Sequence, residues 1–375
     1  MHISATQLPR VVACNGSFSM EASPASIELP TDDRDEGIAA HHVAAATLTG
    51  LISDPVEMVD RQTRNGIFVT AEMSDHVAKF TDLITSRGYT GEAITGVEQP
   101  IDFQIPNSDV VVTCRPDHFA FDTGSGVLYI DDFKYGWRTV EPFNHWTLIA
   151  YAIAVWREVI PQHNVSMIVF TICQPRPLHR DGPVRDWTIS GQELTALFVA
   201  LCSVLANLQD VLNTGPHCRQ CKALATCPAA REAGYNSIEA ATVKFSDQID
   251  GETLACEIRT LRRASDAIGL KLDAYEELAM HLIAQNGPNT VPGFNSEQQF
   301  GNRTYNGGLT PEVISMLTGK PIDAITTRKT VTPAALERMG VSEVVMKTLT
   351  YRPPTKRKLV EFDPSKEAKK LFGKG

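Results

Sequence analysis

A length of 375 residues allows two domains or one large domain with an appendage, and 43% apolar residues are enough for a buried core. A net charge of −9 excludes a protein coated in nucleic acid, whose affinity would come from neutralising phosphates, but leaves room for a local basic groove. No stretch is apolar and long enough to cross a bilayer, and the amino terminus lacks a basic-then-apolar leader pattern, so a cytoplasmic protein with no membrane partner is expected.

In chain order, Cys14 stands alone near the amino terminus. Asp35-Glu36-Gly37-Ile38-Ala39-Ala40-His41-His42 opens a helix expected to run to about Leu51, with acids in its first turn where the helix dipole favours them. His41 on this Ala-rich helix reads as a packed or solvated residue if nothing else points to it, and His42 lies about 100° further around. Ala93 to Phe103 reads as a strand. Glu98 within it is a metal ligand, an acceptor that orients His41 or Lys134, or a solvated side chain.

Val110 to Phe121 reads as the next strand, Asp122-Thr123-Gly124-Ser125-Gly126 as a turn, and Val127 to Tyr135 as the returning strand. Strand residues alternate between faces, so Asp132 and Lys134 share one face while Asp131, Phe133 and Tyr135 share the other. With the hairpin paired as this turn requires, Asp117 joins Asp132. Two carboxylates then suit a divalent cation, beside an ammonium that positions water or steadies negative charge. The plainer reading of Asp132-x-Lys134 is a surface salt bridge.

Asn144 to Ile160 reads as an apolar helix whose Trp146, Tyr151 and Trp156 belong to the core, whereas Trp137, just past the returning strand, is better placed to stack on a base. Val165 to Cys173 reads as a buried strand, Trp187-Thr188-Ile189 as a short one, and Gly191 to Leu212 as a second long helix. Elements in this order describe an α/β fold, a mixed central sheet flanked by helices. Next comes Cys218-x2-Cys221-x5-Cys227 in a turn-rich loop. With Cys14 these offer four thiolates for one metal site, and softness alone does not separate zinc from an iron–sulfur cluster; a zinc knuckle completed by His217 or Cys14 is the structural alternative. Cys114, Cys173, Cys202 and Cys256 lie in apolar surroundings and read as core; the irregular spacing of the eight cysteines argues against a disulfide framework.

From 251 to 286, Leu254, Ile258, Leu261, Ser265, Ile268, Leu272, Tyr275, Ala279 and Leu282 recur at steps of four and three. That is a heptad seam on a helix about 50 Å long, with Arg259, Arg262, Arg263 and Lys271 on its other faces. Thr310-Pro311-Glu312 and Thr332-Pro333-Ala334 each read as a helix start. Thr332 to Thr350 reads as a small packing bundle or a loose helix-turn-helix. Residues 341–375 hold nine Lys and Arg against four Asp and Glu, a balance of +5. Lys356-Arg357-Lys358 and Lys369-Lys370 there are a solvated tail or a track for phosphates.

Pro116, Asp117, Asp132 and Lys134 resemble the motif of the PD-(D/E)XK nuclease superfamily. One distant Cys14 with Cys218, Cys221 and Cys227 is similar to the iron–sulfur branch of its RecB-like members, among them the AddB nuclease domain, the nuclease of CRISPR spacer acquisition, and phage and prophage relatives of unestablished role. Gly37 and His41 match the Gly-x3-His on that branch's first helix. The likeness spans roughly residues 1 to 235 and implies a restriction-endonuclease-like fold. It implies His41, Asp117 and Asp132 as ligands of Mg²⁺ or Mn²⁺, the Phe133 carbonyl as a further ligand, Lys134 as the residue that positions the attacking water, and Tyr151 as a contact to DNA near the scissile bond. It implies a [4Fe–4S] cluster on Cys14, Cys218, Cys221 and Cys227 that staples the two ends of the nuclease domain, with zinc as the alternative. The family places a Gln four residues before that Tyr. Here Thr147 stands there, which puts strand handling in doubt, and Asn144 or His145 is a candidate substitute.

The expectation is a metal-dependent DNA nuclease, exonuclease in type, acting on DNA with a free end or single-stranded DNA in phage replication or recombination, where a recombination or replication protein is a candidate partner. Its organisation would be a nuclease domain over 1–235, a long heptad helix over 236–290, and a small C-terminal region with a basic tail over 291–375. Two other readings stay open: a catalytically silent DNA-binding or recombination scaffold that keeps the nuclease fold, and a zinc-stabilised interaction protein with no nucleic-acid role.

Overall fold

Asp122 explains why the hairpin expected at 110–135 closes. Its buried carboxylate accepts the N–H groups of Thr90, Gly91 and Gly124 and the hydroxyls of Thr90 and Ser125, at 2.8 to 3.0 Å. These donors, the Thr90 N–H first among them, hold its pKa well below the ordinary carboxylate value. Gly91 and Gly124 pass so closely that a Cβ on Gly124 would stand 2.8 Å from the Gly91 nitrogen, and Gly126 completes the turn at φ +70°.

The computed structural model describes residues 1–23, 32–242, 250–287, 290–294 and 316. The chain divides into a unit Met1–Glu297, which holds every element below, and a unit Gln298–Gly375. The helix starts expected at Thr310 and Thr332, the bundle or helix-turn-helix over 332–350 and the basic tail all lie outside the described residues. The elements in order are β1 (His2–Ser4), α1 (Leu8–Ala13), α2 (Ser17–Glu21), α3 (Asp32–Leu48), α4 (Ala71–Thr85), β2 (Ala93–Val97), β3 (Ile101–Gln104), β4 (Val111–Cys114), β5 (His118–Asp122) and β6 (Val127–Phe133). There follow α5 (Trp146–Ala154), β7 (Met167–Cys173), β8 (Val184–Ser190), α6 (Gly191–Ala206), α7 (Pro228–Thr242) and α8 (Gly251–Asn286).

The fold is mixed α/β, as expected. A three-stranded sheet runs β1-β4-β3 and a five-stranded sheet β2-β5-β6-β7-β8, each combining parallel and antiparallel pairs, with helices flanking them. α5 links the parallel strands β6 and β7, and every residue from Thr147 to Ala154 is buried, so this helix is apolar on all sides because it is covered on all sides. A second core lies between α3 and α4, where Ala39, Ala40, Val43 and Ala44 meet Met73, Val77 and Phe80 over Phe133 and Tyr135.

Two of the expected strands are each broken in the middle. Ala93 to Phe103 becomes β2 and β3, and Val110 to Phe121 becomes β4 and β5, with the halves in different sheets. Pro100 and Pro116 fall in the two gaps and cannot donate to a ladder. Glu98 takes φ +49°, a left-handed conformation uncommon for a residue with a Cβ. The pairing nevertheless keeps one register through the break: Val97 pairs with His118 and Ile101 with Cys114. Glu98 therefore sits opposite Asp117, and its N–H donates to the Asp117 carbonyl at 3.1 Å.

Other corrections are smaller. The helix expected over 144–160 ends as α5 at Ala154 and continues as a π-helical turn, and that expected over 191–212 stops at Ala206. The 251–286 helix has its expected length, capped by Asp250, but it buries Ala264, Lys271, Ala274 and Ile283 rather than the heptad seam. Seam residues Leu254, Leu261, Ile268, Leu272 and Tyr275 are exposed. Of the four cysteines expected in the core, Cys114 and Cys173 are buried, Cys202 is half-buried and Cys256 is exposed.

Facing away from Asp132, Asp131 receives both arms of the Arg87 guanidinium at 2.7 Å and lies 2.8 Å from His118 Nδ1. Burial works against the Asp131 charge, yet Arg87 and His118 outweigh it and keep the carboxyl below its usual range. Arg87→Ala leaves that carboxylate buried without its main partner and is expected to cost about 3–5 kcal/mol of stability in denaturant unfolding. The group's contribution is complete above the unfolded carboxylate pKa of about 4 and is lost as pH falls from there through the depressed folded value, so the gap between the two proteins should close in acid.

Candidate functional site

The shared break in the ladder builds the site. Glu98 and Asp117 face one another across it, and α3 lays His41 alongside. His41 Nδ1 lies 3.2 Å from Asp117 Oδ1 and 3.7 Å from Glu98 Oε1. Among the described residues these three form the one group of metal-ligating side chains whose donor atoms all fall within 4.8 Å of each other. One imidazole nitrogen and two carboxylates suit a hard divalent cation such as Mg²⁺ or Mn²⁺.

Asp132 and Lys134 point to the same side of β6 and its extension, as alternation requires, and the ammonium contacts both Asp132 oxygens at 2.7 and 2.9 Å. Asp132 stands outside the group of three. Asp117 links the pair to that group, because its second oxygen accepts the Phe133 N–H at 2.7 Å. The expected residues His41, Asp117, Asp132 and Lys134 are thus neighbours, while Glu98, left open from the sequence, takes the position nearest His41 beside Asp117.

The electrostatics are those of crowded carboxylates. Burial alone would lower the pKa of His41, but the charge and hydrogen bond of Asp117, with Glu98 adding, raise it to about 10. Burial resists ionisation of Asp117, yet His41, then Lys134 and the Phe133 N–H, hold it below its normal value. Burial pushes the Asp132 carboxyl up against the pull of Lys134, and Asp117 adds to the push. Lys134 is buried too, but Asp132 and Asp117 hold it charged and raise its pKa. Tyr151 is buried on α5, where burial first and then Asp132 and Asp117 drive its hydroxyl far above the usual range. Thr147 is buried one turn earlier, and His145, a candidate substitute for the missing Gln, is lowered to about 4 by burial and by Lys134.

The site opens into a cavity of about 850 Å³ whose lining includes His41, Glu98 and Lys134, with Arg34, Arg64 and Arg115 around them. The three arginines were not singled out from the sequence. Arg115 directly precedes Pro116-Asp117, a signal that was present there, and its Nε lies 2.9 Å from Glu98 Oε2. Arg34 and Arg64 belong to segments with no local pattern that marks them.

Cys14 is brought to the cysteine loop across nearly two hundred residues. Asn213 joins them: its N–H donates to Cys14 Sγ at 3.3 Å, and its carbonyl lies 3.9 Å from Cys218 Sγ. The Gly16 N–H reaches the Val211 carbonyl and the Lys222 N–H reaches Glu21, at 2.9 and 3.1 Å. Cys218 Sγ also accepts the Gly215 N–H, and Cys218, Cys221 and Cys227 share one small apolar cluster. Burial pushes the Cys221 thiol up to about 11, so any ligation there expels a proton. These sulfurs form no group of three within 4.8 Å, whereas a single tetrahedral zinc with Zn–S near 2.3 Å needs sulfurs about 3.8 Å apart.

A family model described as "Protein of unknown function (DUF2800)" matches residues 2–367. The chain belongs to the DUF2800 family. No curated protein matches it. A solved structure described as "Crystal structure of SSO0001" is similar over 57% of this chain and 94% of that chain, at 11% identity and a TM-score of 0.25, a likeness too slight to bear on fold or function.

Within this DUF2800 chain, the raised pKa of His41 means that a cation entering the site displaces a proton. Mn²⁺ affinity, followed by electron paramagnetic resonance, is expected to rise about tenfold per pH unit while pH stays below about 10, and Asp117→Asn to lower it at least tenfold. Mn²⁺ affinity that is flat with pH and unchanged in His41→Ala would exclude His41 as a ligand.

Proposed function

We propose that this chain is a metal-dependent deoxyribonuclease of the PD-(D/E)XK type, RecB-like, acting on DNA that offers a free end or a single strand. The observation that carries the reading is the convergence of His41, Glu98 and Asp117 within 4.8 Å, with the Asp132–Lys134 pair beside them. His41, Asp117 and Asp132 are the ligands that the family resemblance implies, and the geometry adds Glu98. This set would hold a Mg²⁺ or Mn²⁺ ion, which would supply Lewis acidity and an activated water for phosphodiester hydrolysis.

Lys134 keeps its proton, so it serves by donating hydrogen bonds and positive charge near the attacked phosphate rather than by removing a proton. Arg34, Arg64 and Arg115 present guanidinium groups to phosphate oxygens along the cavity, which reconciles a net charge of −9 with a polyanionic substrate. Tyr151 stays neutral and serves as a hydrogen-bonding or packing group. Asp117 accepts the Phe133 N–H, which fixes the backbone between Asp132 and Lys134.

The cysteines are read as the ligands of a [4Fe–4S] cluster in preference to zinc. Each iron of a four-iron cluster takes one cysteine, so its ligands stand wider apart than around one ion, and these sulfurs form no group of three within 4.8 Å. A host cytoplasm and a role in phage replication or recombination follow from the resemblance alone.

End-labelled single- and double-stranded DNA incubated with Mg²⁺, Mn²⁺ or EDTA is expected to be cut only with metal. Lys134→Ala should lower the rate by about 10²–10³ or more while Mn²⁺ binding persists. Undiminished cutting by that variant removes Lys134 from the mechanism. Purified without oxygen, the protein should be brown and contain iron and acid-labile sulfide, and Cys227→Ser should lose both. A colourless protein with stoichiometric zinc would overturn the cluster.

A further inference from the structure

Trp137 is 58% exposed, although a side chain of its size usually gains by burial. It directly follows Lys134, Tyr135 and Gly136, which line the cavity. Nothing about it is loose. The side-chain amide of Gln174, itself fully buried, donates to the Gly136 carbonyl at 2.9 Å and to the Arg138 carbonyl at 2.6 Å, gripping the backbone on both sides of the tryptophan. Its oxygen accepts the Val140 N–H at 3.0 Å and Arg185 Nη2 at 2.9 Å, and Arg185 also reaches the Val140 carbonyl.

The indole is braced as well. The guanidinium of Arg176 lies 5.2 Å from its ring centre and 3.7 Å from that of Tyr135, with a side chain only 8% exposed. Glu36 near the start of α3 fixes that guanidinium at 2.6 Å. An aromatic ring with a cation against it, on a backbone clamped from within and with most of its surface in water, has the form of a stacking platform.

We infer that Trp137 binds one unpaired nucleobase by stacking, so that the strand entering the cavity does so single-stranded. This inference rests on the nuclease reading of the adjoining cavity and narrows its substrate. A base inside a duplex presents only its edges, whereas a base on a single strand or a frayed end presents the face that an indole takes. The arginines of the cavity would hold the sugar–phosphate chain, and Trp137 would hold a base next to the bond that faces Lys134.

Binding is measured with the full-length protein in EDTA, by anisotropy of end-labelled oligodeoxythymidine, an abasic oligonucleotide of the same length and a blunt duplex closed by hairpins. Trp137→Ala is expected to weaken oligodeoxythymidine binding about tenfold and to leave abasic-strand binding unchanged, while Trp137→Phe keeps most of the affinity. Oligodeoxythymidine should also quench tryptophan fluorescence in the parent protein and much less in Trp137→Phe. Equal affinity of the parent and Trp137→Ala for oligodeoxythymidine, or equal losses on the base-bearing and abasic strands, overturns the stacking site. Metal-dependent cleavage is scored separately. Its absence together with Trp137-dependent binding would defeat the nuclease reading alone, and cleavage without Trp137 dependence would defeat this inference alone.

Discussion

Repulsion among Glu98, Asp117 and Asp132 is the constraint around which this site is organised. The ladder changes sheets between β2 and β3 and between β4 and β5 without losing register, so it forces the first two acids into opposition, and β6 brings the third beside them. Three carboxylates gathered together, with Glu98 half-buried and Asp132 fully buried, raise each other's energy unless positive charge is near. Without a bound cation that charge comes from a protonated His41, from Lys134 and from Arg115. The left-handed Glu98 belongs to the same account: a backbone conformation costing roughly 1–3 kcal/mol persists only where its surroundings over-determine it, and here the Glu98 N–H, its carbonyl and both carboxylate oxygens are all engaged.

Adjacent acids on β6 divide two tasks. Asp131 turns to Arg87 and His118 and is held ionised, while Asp132 turns to Lys134 and Asp117 and is pushed toward the neutral form. Neighbours in sequence whose environments drive their protonation apart mark a chemically differentiated strand. The alternation of a strand is enough to produce this. One face of β6 carries the anchor that fixes its position, and the other carries Asp132, pushed toward the neutral form beside a charged Lys134.

How far the sequence carried this reading depended on the range of each interaction. The β5–β6 turn was legible because Asp122, Gly124 and Gly126 act within a few residues, and the length of α8 was legible from the recurrence of apolar residues at steps of four and three over 251–286. The breaks at Glu98 and Asp117 were not, because an alternating apolar pattern runs across Pro100 and Pro116 and only pairing with a second strand shows that it changes sheets. Arg176 gave no local signal: its partners Glu36, Tyr135 and Trp137 come from two other segments. Cys256 was misjudged because apolar neighbours on a helix say nothing about which side is covered.

Lys271, expected on a face of α8 away from the seam, is the most informative residue of that helix. A lysine among Arg259, Arg262 and Arg263 looks like surface charge, yet its ammonium is buried and donates to the carbonyls of Leu224 and Ala225 at 3.0 and 2.8 Å. Those carbonyls lie between Cys221 and Cys227. The ammonium also lies 4.5 Å from the centre of the Tyr275 ring, and a buried ammonium with these neutral partners would gain from a nearby negative charge. On the proposed reading, four thiolates in this corner bring that charge, and α8 turns Lys271 and Ala274 toward the cysteine loop at the expense of covering its heptad seam. On that reading the rotation of α8 would be an electrostatic consequence of what the cysteines hold, with the seam left exposed once that demand has been met.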